Sequence, residues 1–128
     1  MKIQIKSFWP AILALAVATF LFCLPGAEFP KATWLDKIYF DKLVHIGLFL
    51  VLVFLWILPS VARVSDIHTM EKVCLGIALA FVAYGIGIEF VQKNFIPHRS
   101  FDLFDIIADT AGCALGWVAA TKLPWVTR

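Results

Sequence analysis

Residues 41–59, DKLVHIGLFLVLVFLWILP, form the stretch that decides the fold. Charged and titratable side chains stand at its start, an apolar run follows at about 43–58, and Pro59 ends it. A run close to the ~20 residues that cross a ~30 Å hydrocarbon core is typical of a transmembrane segment. Lipid offers no partner to backbone N–H and C=O groups, so such a segment must be helical. The stretch therefore predicts a membrane-spanning helix whose first turn is polar.

The rest of the chain repeats this pattern. Three more apolar runs lie at about 8–24, 73–91 and 106–120. The chain of 128 residues is 62% hydrophobic and 16% charged, whereas soluble domains average about 45–50% apolar and about 25% charged residues. We therefore predict an all-α integral membrane four-helix bundle that forms one domain over residues 1–128.

The first apolar run allows a second interpretation. Lys2 and Lys6 precede the first apolar run, and Gly26-Ala27 follows it, so the run could be a signal peptide instead. The run is long for a signal peptide, and its removal would leave an odd number of spans. We therefore favour a retained helix, which places both termini on one side of the membrane.

The distribution of Lys and Arg residues indicates which side of the membrane the termini face. Six Lys and Arg residues fall on the terminal side and five on the other, which weakly favours cytoplasmic termini. No basic run or basic helix face exists that would suit nucleic acid. Cys23, Cys74 and Cys113 each lie in an apolar run without metal-binding spacing, and are expected to be buried hydrophobic residues.

With four spans, two polar groups of residues come to the same membrane face. An ionisable side chain at mid-bilayer costs about 2.5–3.5 kcal/mol on insertion scales, so such residues mark candidate functional sites. The candidate acid–base residues are His45 and Glu89. The candidate ligand-binding residues are Asp41, Lys42, Gln92, Arg99, Asp102, Asp105 and Asp109.

Helical spacing groups these residues. Asp41 and His45 are four residues apart and share a helix face. In the third span, Ala78, Phe81, Gly85, Glu89 and Gln92 form one stripe, whose small residues let a neighbouring helix approach. In the fourth span, Asp105 and Asp109 share a face with Gly112 and Gly116, so these aspartates should point into the bundle. Arg99, in the preceding connection, could clamp a carboxylate or a phosphate.

Structural roles are possible for each of these residues taken singly. Asp102 could cap the last helix, and Asp105 could favour its first turn. Arg99 could neutralise Glu89 or Asp105 as an ion pair, and Lys42 could snorkel towards the interface.

At these residues the chain resembles the VanZ-like family of small bacterial membrane proteins. The matching pieces are DKLVH at 41–45, GIEFVQ at 87–92, RSFDLFD at 99–105 and DTAG at 109–112 with Gly116, although the family usually places Asn where this chain has Asp109. The resemblance implies a compact helical protein of the bacterial cytoplasmic membrane. The family is named after a member that confers low-level resistance to the lipidated glycopeptide teicoplanin, and the name brings no reaction with it.

Three hypotheses follow for function. The polar residues could bind an anionic or phosphate-bearing lipid-like ligand, with no cofactor required and a divalent cation conceivable. They could instead be a structural network in a scaffold or partner of envelope machinery. A transporter or proton relay ranks last, because no pair of broken helices is visible.

Overall fold

Four helices build the part of the chain that is described in a computed structural model, residues 6–24, 40–96 and 103–122; for residues 40 and 41 this covers the backbone only. They are α1 (Trp9–Phe22), α2 (Phe40–Val61), α3 (Ile67–Phe95) and α4 (Leu103–Thr121). No strand occurs in these residues, which confirms the all-α class.

Three of these helices are long and apolar enough to cross a membrane. The suitable segments are Lys42–Val61, Ile67–Phe95 and Leu103–Thr121. Helix α1 is apolar throughout but has only 14 residues, which corresponds to about 21 Å at 1.5 Å per residue. The prediction of membrane-spanning helices is thus confirmed for α2, α3 and α4.

The helices are longer than the apolar runs that predicted them. The expectation that the second helix stops at Pro59 is wrong, because Pro59 lies inside α2, which ends at Val61. Ser60 Oγ donates to the Trp56 carbonyl and Arg63 Nη1 to the Pro59 carbonyl, each at 2.8 Å. A proline this close to a helix end removes one backbone hydrogen bond, and side chains satisfy the neighbouring carbonyls.

Helix α3 begins at Ile67, ahead of the predicted 73. Asp66 is its N-cap, and its carboxylate accepts from the Thr69 backbone N–H and hydroxyl, both at 2.8 Å. These bonds, the backbone one first, lower the pKa of Asp66, because they favour the ionised carboxylate. A search for apolar runs does not detect a polar first turn, but an N-cap residue such as Asp66 marks the start of the helix.

The contacts between helices show that they alternate in direction. Gly112 of α4 faces Ile46 of α2, and Gly116 one turn later faces Leu50, so α2 and α4 run parallel. Thr19 of α1 hydrogen-bonds Tyr84 of α3 at 2.6 Å, and Gln92 of α3 reaches Phe22 of α1, so α1 and α3 also run parallel. The N-terminal ends of α2 and α4 therefore meet the C-terminal ends of α1 and α3 at one end of the molecule.

The closest helix contact is that between α2 and α4. A Cβ atom placed on Gly112 would lie 2.5 Å from the Ile46 carbonyl oxygen, and one on Gly116 would lie 2.6 Å from that of Leu50. The two glycines thus bring the helix backbones together, as the small-residue spacing predicts. Cys74 and Cys113 are buried as expected, whereas Cys23 is half-buried; all three are free thiols.

Candidate functional site

The polar residues predicted from the sequence converge at the end of the bundle where α2 and α4 begin. His45 lies in the second turn of α2, Asp105 and Asp109 lie in the first two turns of α4, and Glu89 lies in the last third of α3. All four are buried. The two polar groups of residues therefore do come together, and they form one cluster between three helices.

His45 and Asp109 form the centre of this cluster. His45 Nδ1 lies 2.7 Å from Asp109 Oδ1, a buried hydrogen bond between α2 and α4. Only 5% of His45 and 1% of Asp109 is exposed. An ionised carboxylate only accepts hydrogen bonds, so Nδ1 then donates the proton and the lone pair stays on Nε2. Phe22 of α1 closes one side of the imidazole, with ring centroids 5.0 Å apart.

Lys42 and Asp105 form a second contact between α2 and α4. Lys42 Nζ donates to Asp105 Oδ1 at 2.6 Å, and the Lys42 side chain is 17% exposed. Lys42 therefore reaches inward to a carboxylate, which replaces the interpretation that it snorkels to the interface. Asp105 Oδ2 also lies 3.9 Å from His45 Nε2. The two aspartates thus flank the imidazole on the α4 side.

Glu89 completes the cluster from α3. Its side chain is fully buried, and a carboxylate oxygen of Glu89, a ring nitrogen of His45 and a carboxylate oxygen of Asp109 lie within 4.8 Å of one another. A nitrogen donor and two carboxylates are ligands that divalent metal ions accept in proteins. The same three groups could also exchange protons with a ligand.

Gln92 lies one turn beyond Glu89 and joins α3 to α1. Its Nε2 donates to the Phe22 carbonyl at 2.9 Å, and the side chain is 1% exposed. The Phe22 carbonyl belongs to the last turn of α1, where no intrahelical N–H is available to it. Gln92 therefore caps α1 from the side, and its role as a ligand-binding residue stays a prediction.

Three further candidates are not placed by the structure. Arg99 and Asp102 lie outside the described residues, as does any ion pair of Arg99 with Glu89 or Asp105. The backbone of Asp41 belongs to α2, one turn before His45, but its side chain is not described. The roles of these three residues stay predictions.

Two features of the site were not anticipated. A Cβ atom at Gly85 would lie 2.8 Å from Asp109 Oδ2 and 3.2 Å from the Phe49 ring, so the missing side chain makes room for the aspartate. The second feature is the Phe22 carbonyl that accepts from Gln92. A sequence does not show which backbone carbonyl a side chain will contact. For Gly85, the small-residue stripe of α3 predicted that a neighbouring helix would come close, but not that the Asp109 carboxylate would fill the space.

Comparison with known proteins supports the likeness seen in the sequence. The family model described as VanZ/LLP1 matches residues 8–124. A relative in Schizosaccharomyces pombe, described as uncharacterized protein C11E3.10, is 42% identical over 77 residues, which is 59% of this chain and 43% of that protein. The chain thus spans less than half the length of this curated relative. No solved structure matches. Since the family model covers nearly the whole chain, including every residue of the buried cluster, the protein belongs to the VanZ/LLP1 family.

Proposed function

We propose that the protein crosses the membrane four times and binds an anionic, phosphate-bearing lipid-like ligand at the end of the bundle where α2 and α4 begin. The observation that carries this proposal is the set of buried titratable groups, His45, Glu89 and Asp109, next to the partly exposed Lys42–Asp105 pair. Polar groups at membrane depth cost free energy, and they are retained mainly where they function.

Two features at the rim of this end would attract a negative headgroup. Two helices begin here, and helix N-termini carry partial positive charge from their backbone dipoles. Lys42 adds a full positive charge, and it is the more exposed partner of its ion pair, 17% against 9% for Asp105. A ligand headgroup approaching from the interface would therefore meet Lys42 before the buried carboxylates. Arg99 stays a predicted second cation for such a headgroup.

The depth of α1 supports the fourth crossing. Just before α1, the Lys6 carbonyl accepts from Arg63 Nη1 at 2.8 Å, just beyond α2. At the end of α1, the Phe22 ring contacts that of His45 in a tilted arrangement. The interval from His45 to Arg63 covers about 27 Å at 1.5 Å per residue, close to the ~30 Å hydrocarbon core. α1 and the residues flanking it therefore reach as deep as α2 does. Location in a bacterial cytoplasmic membrane with cytoplasmic termini stays a prediction.

A second candidate function is that of a scaffold that docks on envelope proteins, with the cluster as a structural network. The observation that favours it is that the cluster already satisfies itself in part, through the contacts Lys42–Asp105 and His45–Asp109. Satisfied polar networks can specify one helix packing, although buried ion pairs by themselves add little stability.

Ligand binding can be measured by thermal unfolding of the full chain in detergent, with EDTA present throughout. We expect an isoprenoid phosphate to raise the Tm of the wild type, and the corresponding isoprenoid alcohol not to, since a ligand at 100 times its Kd adds about 2.7 kcal/mol. Lys42→Gln should remove this response, measured from the variant's own ligand-free Tm. Lys72→Gln, at an exposed lysine of α3, is the matched control.

A variant of Glu89 separates the two candidate functions. Glu89→Gln keeps the shape of the side chain and removes its charge. If the cluster binds ligand, this variant stays folded and responds differently to the phosphate. If the cluster is structural, it mainly loses stability, because a buried group of the network is altered. An unchanged Tm together with an unchanged ligand response would contradict the proposed site.

A further inference from the structure

His45, Glu89 and Asp109 come from three different helices, yet their donor atoms converge. One nitrogen or carboxylate oxygen from each lies within 4.8 Å of the other two, and all three side chains are buried. In a bound state, metal–ligand bonds of about 2.0–2.2 Å place neighbouring donors about 3–4 Å apart. The three donors therefore already lie close to the spacing that one ion requires.

A second observation concerns the same aspartate. Asp109 Oδ1 contacts His45, but Asp109 Oδ2 is buried without a hydrogen bond from any residue of the described segments. Buried polar atoms are nearly always satisfied, so each exception calls for an explanation such as a bound ion. Gly85 accommodates Oδ2 itself, because a Cβ there would lie 2.8 Å from this oxygen.

The contact between His45 and Asp109 suits both groups to metal binding. His45 Nδ1 and Asp109 Oδ1 face each other at 2.7 Å, and an ion bound by both takes the place of the proton between them. Ligating histidines commonly donate their other ring N–H to a carboxylate, which fixes the tautomer and raises ligand basicity. Here the other ring nitrogen, Nε2, faces Asp105, whose Oδ2 lies 3.9 Å away.

We propose that His45, Glu89 and Asp109 bind a divalent transition-metal ion of the Zn²⁺ class. The donor set decides the class of ion: an imidazole nitrogen with carboxylates suits Zn²⁺ and its neighbours, whereas Mg²⁺ and Ca²⁺ prefer oxygen donors alone. Three protein ligands also leave a coordination position open. The proposal goes beyond the ligand binding proposed above and does not depend on it, since the ion alone is the probe.

The test is equilibrium binding of Zn²⁺ to the full chain, purified in detergent without an affinity tag and stripped with EDTA. We expect about one zinc per wild-type chain after dialysis, measured by elemental analysis. Loss of a residue that only hydrogen-bonds a metal ligand typically weakens metal affinity about 10–100-fold. Loss of a side chain that binds the ion directly should weaken Zn²⁺ affinity by at least this much. Glu89→Gln and Asp109→Asn should both show this loss. Glu71→Gln, which alters an exposed carboxylate of α3, should bind as the wild type does.

Two further measurements keep the result interpretable. Circular dichroism and thermal unfolding in EDTA establish that the variants fold. If one variant does not fold, the wild type loaded with Co²⁺ is measured instead. Visible absorption typical of protein-bound Co²⁺ at a low-symmetry site, lost when Zn²⁺ is added, supports the site. A wild-type chain that retains no zinc overturns the proposal, as does equal affinity in folded Glu89→Gln and Glu71→Gln. Neither result bears on lipid binding, which is measured in EDTA.

Discussion

Lys42 and His45 lie one turn apart on α2, and their partners Asp105 and Asp109 lie one turn apart on α4. Because the two helices run parallel, the pairs match residue by residue, and both bonds form in a single register. A shift of one residue would turn each helix face by about 100° and break both contacts at once. These side chains therefore select one alignment of α2 against α4.

The contact between Lys42 and Asp105 should show strong energetic coupling. We expect Lys42→Met and Asp105→Leu each to lower the stability, and the double variant to recover part of the loss, because each single change leaves the other charge at a low-dielectric site. The coupling free energy should exceed the about 0.2–1 kcal/mol of exposed pairs. A double-mutant cycle of unfolding in detergent measures it. Simple additivity of the two changes would show that the pair contributes nothing as a pair.

At the scale of the helix, the sequence predicts which faces are buried better than it predicts where the helices begin and end. The stripe of α3 and the aspartate–glycine face of α4 are buried as expected, because helical periodicity decides which side chains face the neighbouring helices. Helix ends were harder to predict: Pro59 did not stop α2, and α3 began at its Asp66 cap. These outcomes depend on which backbone groups find side-chain partners, and hydropathy carries no such information.

The same limit applies to the candidate site. That His45, Glu89 and Asp109 would lie at one membrane face followed from counting spans. That His45 would bond Asp109 at 2.7 Å, rather than Asp41 or Glu89, depends on the register of α2 against α4. That register is set by the approach of Gly112 and Gly116 to carbonyls of α2, a distance that only coordinates provide.

Two glycines of α3 provide a matched test of how closely the site is packed. At Gly85 a Cβ would lie 2.8 Å from Asp109 Oδ2, whereas at Gly87 no atom lies within 4 Å. Real Cβ atoms do not approach other atoms this closely, and Asp109 is buried, so Gly85→Ala must displace the carboxylate from His45. We expect Gly85→Ala to lower the Tm through overpacking that costs about 1–3 kcal/mol.

Gly87→Ala is the control in the same helix. Alanine favours a helix by about 1 kcal/mol over glycine, so this variant should unfold at the same temperature as the wild type or higher. Thermal unfolding of both variants by circular dichroism is the measurement. Equal stability of Gly85→Ala and Gly87→Ala would mean that the Asp109 carboxylate can shift at no cost, and that Gly85 is not needed to make room for it.

At the scale of the whole molecule, the cluster and the helix directions depend on one another. The site takes residues from α2, α3 and α4 and is closed by Phe22 of α1. It exists only if α1 and α3 run one way and α2 and α4 the other. If all four helices cross a membrane, as proposed above, this alternation places the α2–α3 connection and the start of α1 on one side, and the polar cluster near the other side.

This arrangement is testable by labelling single cysteines, introduced into a chain whose three native cysteines are replaced, with a membrane-impermeant maleimide. Lys6→Cys, His68→Cys and Lys122→Cys should label from one side, and the exposed Asn94→Cys from the opposite side. The hydrogen bond from Arg63 to the Lys6 carbonyl requires Lys6 to share a side with the start of α3. The lysine and arginine distribution predicts that this side is the cytoplasm. Labelling of Lys6→Cys together with Asn94→Cys would mean that α1 does not cross. The end of α1 could then not reach Gln92, and the site would lose the residue that closes it.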